Sequence, residues 1–596
     1  MFSDKENINI LTSLLMAHGV KHAVVCPGSR NMPIVHNLNA CSDITCHPVT
    51  DERSAGFYAL GMAQATGTMV VVCVTSGTAL LNLAPAVAEA HYRHTPLVVI
   101  SADRPAAWIE QLDGQTLQQP HALGGLVGKC VSLPEPHDDE TRWHCNRLVN
   151  EALLATRMNG RQPVHINVPI GEPLFTFNTP ELPQERVITW HHPEMDINAT
   201  AMIVANRLAS AKRPMVVVGQ RACPDESFDH NLLLLKKQVT VLHEPLSSAV
   251  AIPFEEFLAQ RVDDPDYMPD FVLYMGGHLV SKRLKQFLRQ SGAEVWAVSD
   301  DGEVHDTLQH LSRIIEADCR QLVDRLADYC STNEFPLEES QRFARCWISG
   351  MNHFMMTTGN QPLPYSYAAA VSIFEQSLSE KGMVCHVHYA NSMAVRMACR
   401  YARRYVWCNR GVNGIEGSIS TAAGFSLVTP EPVFVVTGDL SFFYDQNALW
   451  NQELKGNLRI LLINNGGGGI FHSLKGMQQS EAFSKLVIGR HHVSAQGICM
   501  QNDITYLSAC NACELAAGIN MLITAKSHRP LLLEVFTGVE GRYCCFFLRG
   551  RNARRERDAR RKRIIRRGRI IRRERIIRNE RECPEGRLDT SCLLLG

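Results

Sequence analysis

The sequence predicts an α/β protein made of three doubly wound domains, each built on a parallel sheet, with a low-complexity tail. Short runs rich in Val, Ile and Leu alternate with helical segments over most of the 596 residues. Such runs are typical of parallel strands buried on both faces and joined by crossover helices. Polar stretches at about 172–196 and 331–364 interrupt the alternation and are predicted to be linkers.

The predicted domains are residues 1–178, 197–330 and 365–537, followed by an atypical basic tail, 538–596, that we expect to be disordered. Strands are predicted in the first domain at 22–26, 69–74, 97–100 and 164–168. The second domain has predicted strands at 215–218, 239–242, 271–275 and 294–298, and the third at 433–437 and 458–463.

Composition indicates a globular protein, because 45% of the residues are hydrophobic and 20% are charged. No run of 18 or more apolar residues is present, and the first ten residues lack a basic and apolar signal pattern. We therefore expect a cytoplasmic protein that does not enter a membrane. The 20 scattered cysteines are expected to be reduced and mostly buried.

The formal net charge of zero conceals two opposite parts. Residues 549–581 hold 17 Lys and Arg against 4 Asp and Glu, and the remaining chain holds 43 basic and 56 acidic residues. An acidic body argues against nucleic-acid binding by the globular part. The tail repeats a basic six-residue unit, which fits either a nucleic-acid-binding arm or a low-complexity end from a frame or fusion error.

Two polar turns follow neighbouring predicted strands in the third domain. The turn GDLS at 438–441 follows the strand at 433–437, and Asn464, Asn465 and four glycines follow the strand at 458–463. Both turns fall at carboxyl ends of strands, where open α/β sheets bind ligands. The oxygens of Asp439 and Asn465 suit Mg²⁺ held against a diphosphate, and the glycines let the backbone approach the phosphates.

This Gly-Asp followed about 25 residues later by Asn-Asn resembles the metal-and-diphosphate motif of thiamine-diphosphate enzymes, with Leu440 in place of the usual glycine. The resemblance implies that Asp439, the Asn465 side chain and the Gly467 carbonyl bind Mg²⁺ or Mn²⁺. The alternative is an ordinary strand–turn–helix with a capping aspartate and a flexible glycine loop.

The first domain offers candidates for the other end of this cofactor. A carboxyl group must hydrogen-bond N1′ of the aminopyrimidine ring, and Glu52, beside a predicted strand end, is the candidate; burial would raise its pKa. The alternative is a surface carboxylate paired with Arg53. Ile415 is the candidate for the apolar wedge that bends the cofactor, or else an ordinary core residue. Thr75 and Ser76 open a helix that suits an anion.

Further motifs make the resemblance specific to one family, the 2-succinyl-5-enolpyruvyl-6-hydroxy-3-cyclohexene-1-carboxylate (SEPHCHC) synthases of menaquinone biosynthesis. The match extends over about residues 5–537. The family's members are transferases that condense 2-oxoglutarate with isochorismate and release CO₂, and their domains are called pyrimidine-binding, central and diphosphate-binding. The motifs lie at 27–30, 51–53, 75–78, 102–105, 114–115, 281–284, 391–392, 409–411, 420–424 and 438–441.

The resemblance also implies roles for individual residues. Both substrates are dianions, so arginines and a lysine at strand-end loops fit them. Catalytic roles fall to Glu52, Ser392, Arg396 and Arg410, and isochorismate binding to Ser29, Arg30, Arg104, Gln115, Lys282 and Arg283. Contacts with the cofactor fall to Glu52, Thr75, Ser76, Ile415, Gly438, Leu440, Ser441, Ile470 and Phe471. Each cofactor is expected between the first domain of one subunit and the third of another, in a homodimer or homotetramer.

The sequence departs from the family at three places. Gly114 stands where some members have a polar Asn, and Asn31-Met32 follows Arg30 where Ser-Thr is common. Beyond about residue 537 the chain stops resembling the family. Two other functions stay open at this stage. One is another 2-oxo-acid carboligase or decarboxylase similar to acetolactate synthase. Its substrates are less anionic, so the six candidate cations argue against it: Arg30, Arg104, Lys282, Arg283, Arg396 and Arg410. The other is a non-catalytic protein disabled by its C-terminal end.

Overall fold

Parallel strands and crossover helices make up the part of the chain that the structure, a computed structural model, describes. The described residues are 1–158, 160–190, 196–261, 264–333, 338–358, 363–473 and 476–538. The predicted disorder of the tail therefore lies, apart from residue 538, outside the described residues. None of the described helices is long and apolar enough to cross a membrane.

The first sheet has six parallel strands in the order β2-β1-β3-β4-β6-β5. Its strands are β1 (His22–Val25), β2 (Thr45–Pro48), β3 (Val70–Val74), β4 (Leu97–Asp103), β5 (Lys129–Ser132) and β6 (Val164–Pro169). Its helices are α1 (Glu6–Ala17), α2 (Met32–Ala40), α3 (Glu52–Thr66), α4 (Thr78–Asn82), α5 (Ala84–Tyr92) and α6 (Asp139–Ala155). Strands β3 and β4 are buried along their whole length, as continuous apolar runs in parallel sheets require.

The second sheet has five parallel strands in the order β11-β10-β9-β7-β8. Its strands are β7 (Pro214–Val218), β8 (Thr240–His243), β9 (Phe271–Met275), β10 (Glu294–Ser299) and β11 (Leu311–Glu316). Its helices are α7 (Ile197–Ser210), α8 (Glu226–Leu235), α9 (Glu255–Ala259), α10 (Lys282–Ser291), α11 (Cys319–Thr332) and α12 (Glu338–Thr358).

The third sheet has five parallel strands in the order β12-β13-β14-β16-β15. Its strands are β12 (His386–Tyr389), β13 (Val433–Gly438), β14 (Leu458–Asn464), β15 (Thr505–Ala509) and β16 (Leu531–Phe536). Its helices are α13 (Tyr367–Glu380), α14 (Met393–Tyr401), α15 (Ser418–Leu427), α16 (Asp439–Tyr444), α17 (Gln496–Gln501) and α18 (Ala512–Thr524).

These three sheets confirm the predicted fold class. We call each sheet with its helices the first, second and third domain. One sheet lies within each predicted domain range, and the exact boundaries stay predictions. The stretch 331–364 is different, because helix α12 occupies Glu338–Thr358, and the prediction of a linker is wrong there. Helix α12 packs on the second domain through three buried residues spaced four apart, Phe343, Trp347 and Met351. The Trp347 indole also donates to the carbonyl of Tyr267 (3.1 Å).

Helices α3 and α15 cross in close contact and join the first and third domains through one hydrophobic core. A Cβ atom on Gly61 would lie 2.0 Å from the carbonyl oxygen of Thr421, and one on Gly424 would lie 2.2 Å from that of Tyr58. No side chain fits at these distances, so the glycines are what allow the two helix backbones to meet.

Candidate active site

The Asp439 carboxylate connects the ends of the neighbouring strands β13 and β14. Asp439 is the first residue of α16 and is 3% exposed. Its Oδ1 accepts from the Leu440 N–H (2.7 Å), and its Oδ2 accepts from the N–H groups of Asn465 (3.1 Å), Gly466 (2.7 Å) and Gly467 (2.9 Å). Gly466 has φ +78°, a conformation that glycine adopts without strain. The glycine loop is therefore wrapped around one carboxylate oxygen.

Three oxygens at this junction fit a small divalent cation. Oδ1 of Asn465 is placed 3.0 Å from Oδ2 of Asp439 and 2.7 Å from the Gly467 carbonyl oxygen, facing acceptors only. Adjacent ligands of octahedral Mg²⁺, at about 2.0–2.1 Å from the ion, lie about 2.9 Å apart. A cation would remove the repulsion among these oxygens, whereas without one the amide turned by 180° would donate to both neighbours.

Two of the three predicted metal ligands are an amide oxygen and a backbone carbonyl oxygen rather than His, Cys, Asp or Glu side chains. Among the described residues, no group of three or more His, Cys, Asp or Glu could hold a metal. His491 is a neighbour that the sequence did not indicate: its Nε2 lies 3.4 Å from Oδ2 of Asp439, and its ring contacts that of Phe443. The three metal ligands stay a prediction, and the oxygen donors at this junction are of the type that Mg²⁺ binds.

The predicted cofactor contacts of the third domain gather at the same edge of the sheet. The Ser441 hydroxyl donates to the Ile415 carbonyl (2.5 Å), which ties the loop before α15 to the first turn of α16. Ile415 is 36% exposed, unusual for a core isoleucine and suited to contact with a ligand. The ring of Phe471 lies over Gly468, where a Cβ would come within 2.6 Å of it. Leu440 and Ile470 are half-buried beside these residues, and the space next to Gly438 is open.

Asn391 brings Ser392 and Arg410 together. Its Nδ2 donates to the carbonyls of Asn409 (2.5 Å) and Gly414 (2.6 Å), and its Oδ1 accepts from Nη1 of Arg410 (3.0 Å). Ser392 follows directly with φ +73°, a strained value for serine that is often found at functional sites. Arg410 is 8% exposed, and Arg396 lies half-buried on α14, four residues after Ser392.

Glu52 begins α3 and is half-buried rather than enclosed. Its Oε2 accepts from Nδ2 of Asn82 (3.3 Å). The alternative interpretation required an ion pair between Glu52 and Arg53, which is not formed. The Arg53 guanidinium instead donates to the Tyr444 carbonyl (2.9 Å) and lies 4.8 Å from the centre of the Tyr444 ring. The start of α3 therefore contacts the last residue of α16 in the same chain.

The remaining first-domain candidates follow strands β1, β3 and β4 along the chain. Thr75 and Ser76 are buried, while Ser29 and Gln115 are exposed. Arg30 is buried, and its guanidinium donates to the Ile170 carbonyl (3.0 Å) and pairs with Glu172 (3.0 Å). Arg104 pairs with Asp113 (2.7 Å) and donates to the carbonyl of Gly114 (3.1 Å).

The second domain contributes the start of α10. Lys282 is exposed, and Arg283 donates to the backbone carbonyl of Glu255 (2.8 Å) and pairs with the carboxylate of the same residue (3.3 Å). Glu255 therefore orients Arg283 next to the exposed Lys282 at the start of α10.

Three buried carboxylates near the site carry no motif and were missed from the sequence: Glu89, Glu244 and Asp445. Asp445 accepts from the backbone N–H groups of Ile419 and Ser420 (2.8 Å each) and from the Ser420 hydroxyl (2.6 Å), which fixes the start of α15. Burial raises its pKa to about 6, although these hydrogen bonds and the charge of Arg53 act in the opposite direction. Only the structure shows that residues 25 positions apart meet here.

Known proteins resemble the chain over most of its length. Residues 8–123 match the family described as thiamine pyrophosphate enzyme, N-terminal TPP binding domain. The chain is 45% identical over 550 residues to a 2-succinyl-5-enolpyruvyl-6-hydroxy-3-cyclohexene-1-carboxylate synthase of Bacteroides fragilis, covering 90% of this chain and 97% of the relative. Proteins of the same name are 43% identical in Bacteroides thetaiotaomicron (90% and 97% covered) and 34% identical in Porphyromonas gingivalis (90% and 95% covered).

The raised pKa of Asp445 predicts a pH-dependent stability. The folded chain keeps a proton on Asp445 up to about pH 6, whereas an unfolded aspartate releases it near about pH 4. The contribution of Asp445 to the free energy of unfolding therefore falls as the pH rises through this window. Asp445→Asn lacks this titration, so the unfolding free energy of the wild type minus that of the variant should fall by up to about 3 kcal/mol between pH 4 and 7.

Urea denaturation across this window, followed by both fluorescence and circular dichroism, measures the difference. Coincident transitions from the two probes justify a two-state treatment. A difference that stays constant or increases with pH would show that Asp445 is already ionised throughout the window.

Proposed function

The chain belongs to the SEPHCHC synthase family, thiamine-diphosphate-dependent transferases of menaquinone biosynthesis, and we propose that it condenses 2-oxoglutarate with isochorismate and releases CO₂. The identity of the relatives supports this reaction over one of the acetolactate-synthase type. The observation that carries the proposal is the loop of Asn465–Gly467 around Asp439, a diphosphate-and-metal site in its donor chemistry. The cytoplasmic location of the protein stays a prediction.

The third domain would hold the cofactor and its metal. Asp439, Asn465 and the Gly467 carbonyl would bind Mg²⁺ or Mn²⁺, since one end of the Asn465 amide lies 3.0 Å from Oδ2 of Asp439 and 2.7 Å from the Gly467 carbonyl oxygen, the spacing of adjacent metal ligands. Ile415, Leu440 and Phe471 offer apolar surface for the rings of the cofactor. When bound, thiamine diphosphate supplies a nucleophilic carbon and an electron sink for the decarboxylation.

Glu52 would activate the cofactor from the other end. Its half-buried carboxyl can hydrogen-bond a ring nitrogen when a second surface covers it, and that surface would also exclude water. Thr75 and Ser76 would contact the same end of the cofactor as Glu52. We propose that the covering surface is the third domain of another copy of this chain, so that the protein acts as a homodimer or as a homotetramer made of such dimers.

Arg410, Arg396 and Ser392 would bind 2-oxoglutarate. Within the described residues, Nε of the buried Arg410 has no hydrogen-bond partner, and the side chain of Arg396 makes no hydrogen bond or ion pair. A carboxylate is the partner that such a guanidinium prefers, and the low exposure of Arg410 strengthens the attraction. Arg410 and Ser392 are held in position by Asn391, so little entropy is lost when the substrate binds.

Isochorismate would bind between the first and second domains. We assign it Ser29, Arg30, Arg104 and Gln115, together with Lys282 and Arg283. Glu172 and Asp113, which pair with Arg30 and Arg104, would keep these cations oriented before the substrate arrives. Lys282 is exposed and free to move onto a carboxylate of the ring.

An activity assay tests the reaction directly. Purified protein is incubated with 2-oxoglutarate, isochorismate, thiamine diphosphate and Mg²⁺, with a chelator as the control. We expect isochorismate consumption and CO₂ release that both stop when the metal is removed. Unchanged isochorismate, or faster CO₂ release from pyruvate than from 2-oxoglutarate, would overturn the proposed substrates.

Mixed assemblies test whether two copies share one site. Glu52→Gln should abolish turnover while cofactor affinity is largely retained, and Asp439→Asn should abolish metal-dependent cofactor binding in calorimetry. Two differently tagged variants are co-expressed, and the hybrid is purified through both tags. If each cofactor lies between two copies, the hybrid dimer has one intact site and should recover about half of the wild-type activity per dimer.

Two controls accompany this experiment. Glu140→Gln changes an exposed glutamate in the first turn of α6. Asp270→Asn changes a carboxylate in the second domain that accepts hydrogen bonds from the backbone N–H groups of Lys212 and Arg213. Both should leave activity unchanged. A hybrid as inactive as its parents would show that Glu52 and Asp439 of one chain serve the same cofactor.

A further inference from the structure

Two buried glutamates hold the loops that carry the substrate-binding cations by the same bidentate contact. Glu89 lies on α5 in the first domain and is 3% exposed. Its Oε1 accepts from the Gly411 N–H and its Oε2 from the Val412 N–H, both at 2.8 Å. The contact crosses from the first domain to the third and engages the two residues directly after Arg410.

The second contact has the same geometry in a different domain. Glu244 follows β8 and is 2% exposed. Its Oε2 accepts from the Val280 N–H and its Oε1 from the Ser281 N–H, both at 2.7 Å. These are the two residues directly before Lys282 and Arg283. In both places, a carboxylate receives two consecutive backbone N–H groups next to a predicted substrate cation.

Arg410 connects the two contacts through its charge. Burial raises the pKa of Glu89 and that of Glu244, and in both the hydrogen bonds and the nearby Arg410 guanidinium act in the opposite direction. Arg410 also lies close enough to His278 and Lys285 to lower their pKa values, after the larger effect of burial. The arginine therefore sits in a cationic region where the two carboxylates supply negative charge.

We propose that Glu89 and Glu244 are positioning residues, one for each substrate. Glu89 holds Arg410 in place for the 2-oxo acid, and Glu244 holds Lys282 and Arg283 in place for isochorismate. The assignment rests on the proposed function, from which the substrate of each cation is taken. Neither glutamate touches the substrate, and each acts through the loop it binds.

The chemistry of the contact requires a carboxylate. Glutamine is isosteric but has one oxygen, so its NH₂ group would face one of the two backbone N–H groups. Glu89→Gln or Glu244→Gln therefore breaks one hydrogen bond and leaves a buried donor opposed to another. A buried hydrogen bond to a charged group contributes about 1.5–3 kcal/mol, equivalent to about 10- to 100-fold in binding.

The test is a comparison of Michaelis constants for the two substrates in the full-length, cofactor-loaded enzyme. Glu89→Gln should raise the KM for 2-oxoglutarate by about tenfold or more, with a much smaller effect on the KM for isochorismate. Glu244→Gln should give the opposite pattern. Affinity for thiamine diphosphate, measured by calorimetry, should remain unchanged in both variants.

Glu185→Gln is the matched control. Glu185 is also a buried carboxylate, with a side chain 5% exposed, and it accepts from Asn146 (2.7 Å) and pairs with Arg142, away from the cation-bearing loops. This variant should lower the melting temperature and leave both KM values unchanged. It separates the loss of a buried carboxylate from the loss of a positioned cation.

Several outcomes overturn the proposal. If each variant raises the two KM values equally, or only lowers the melting temperature, the glutamates have a structural role. If Glu89→Gln does not fold, Glu89→Asp, which keeps the charge on a shorter side chain, should raise the KM for 2-oxoglutarate selectively, and an unselective effect again overturns the proposal. A wild-type enzyme that does not consume 2-oxoglutarate would instead refute the proposed function.

Discussion

The rest of the site depends on one interaction: the Asp439 carboxylate accepts hydrogen bonds from three consecutive backbone N–H groups. It holds the ends of β13 and β14 together and bends the glycine loop so that the Asn465 amide and the Gly467 carbonyl face the same point. Parallel strands bring their carboxyl ends to one edge, so this geometry follows from the topology of the sheet. Ile415 and Ser441, which are predicted to contact the cofactor, lie at that edge and are joined by a hydrogen bond.

Buried carboxylates bound to paired N–H groups recur around this centre. Asp445 fixes the start of α15, Glu89 fixes the loop after Arg410, and Glu244 fixes the loop before Lys282. These contacts restrict the loops, and the proposed binding of charged substrates requires cations that are in place beforehand. Each carboxylate loses hydration on burial, but two or more hydrogen bonds offset that cost. Rigid loops are thus obtained from side chains in neighbouring elements.

The sequence predicted the fold class of three parallel sheets and the strands β13 and β14, but it did not indicate strands β2, β5, β11, β15 and β16. Val433–Gly438 and Leu458–Asn464 are apolar runs ending in polar turns, and that pattern has few other solutions in an α/β chain. The prediction of a linker was wrong for α12, although its buried Phe343, Trp347 and Met351 recur at helical spacing in the sequence. The sequence also did not indicate Glu89 and Glu244, because a glutamate in a helix or after a strand has no pattern that reveals which distant backbone it binds. Long-range partners of single residues depend on tertiary structure.

A crystal structure of the chain with thiamine diphosphate and Mn²⁺ tests the central claim most directly. The claim is that Asp439, Asn465 and Gly467 form the metal site that anchors the diphosphate. We predict one anomalous manganese peak bound by a carboxylate oxygen of Asp439, the amide oxygen of Asn465 and the carbonyl oxygen of Gly467, with ligand distances of about 2.2 Å. A peak elsewhere, or an Asn465 amide nitrogen turned to the Gly467 carbonyl beside a bound cofactor, would contradict it.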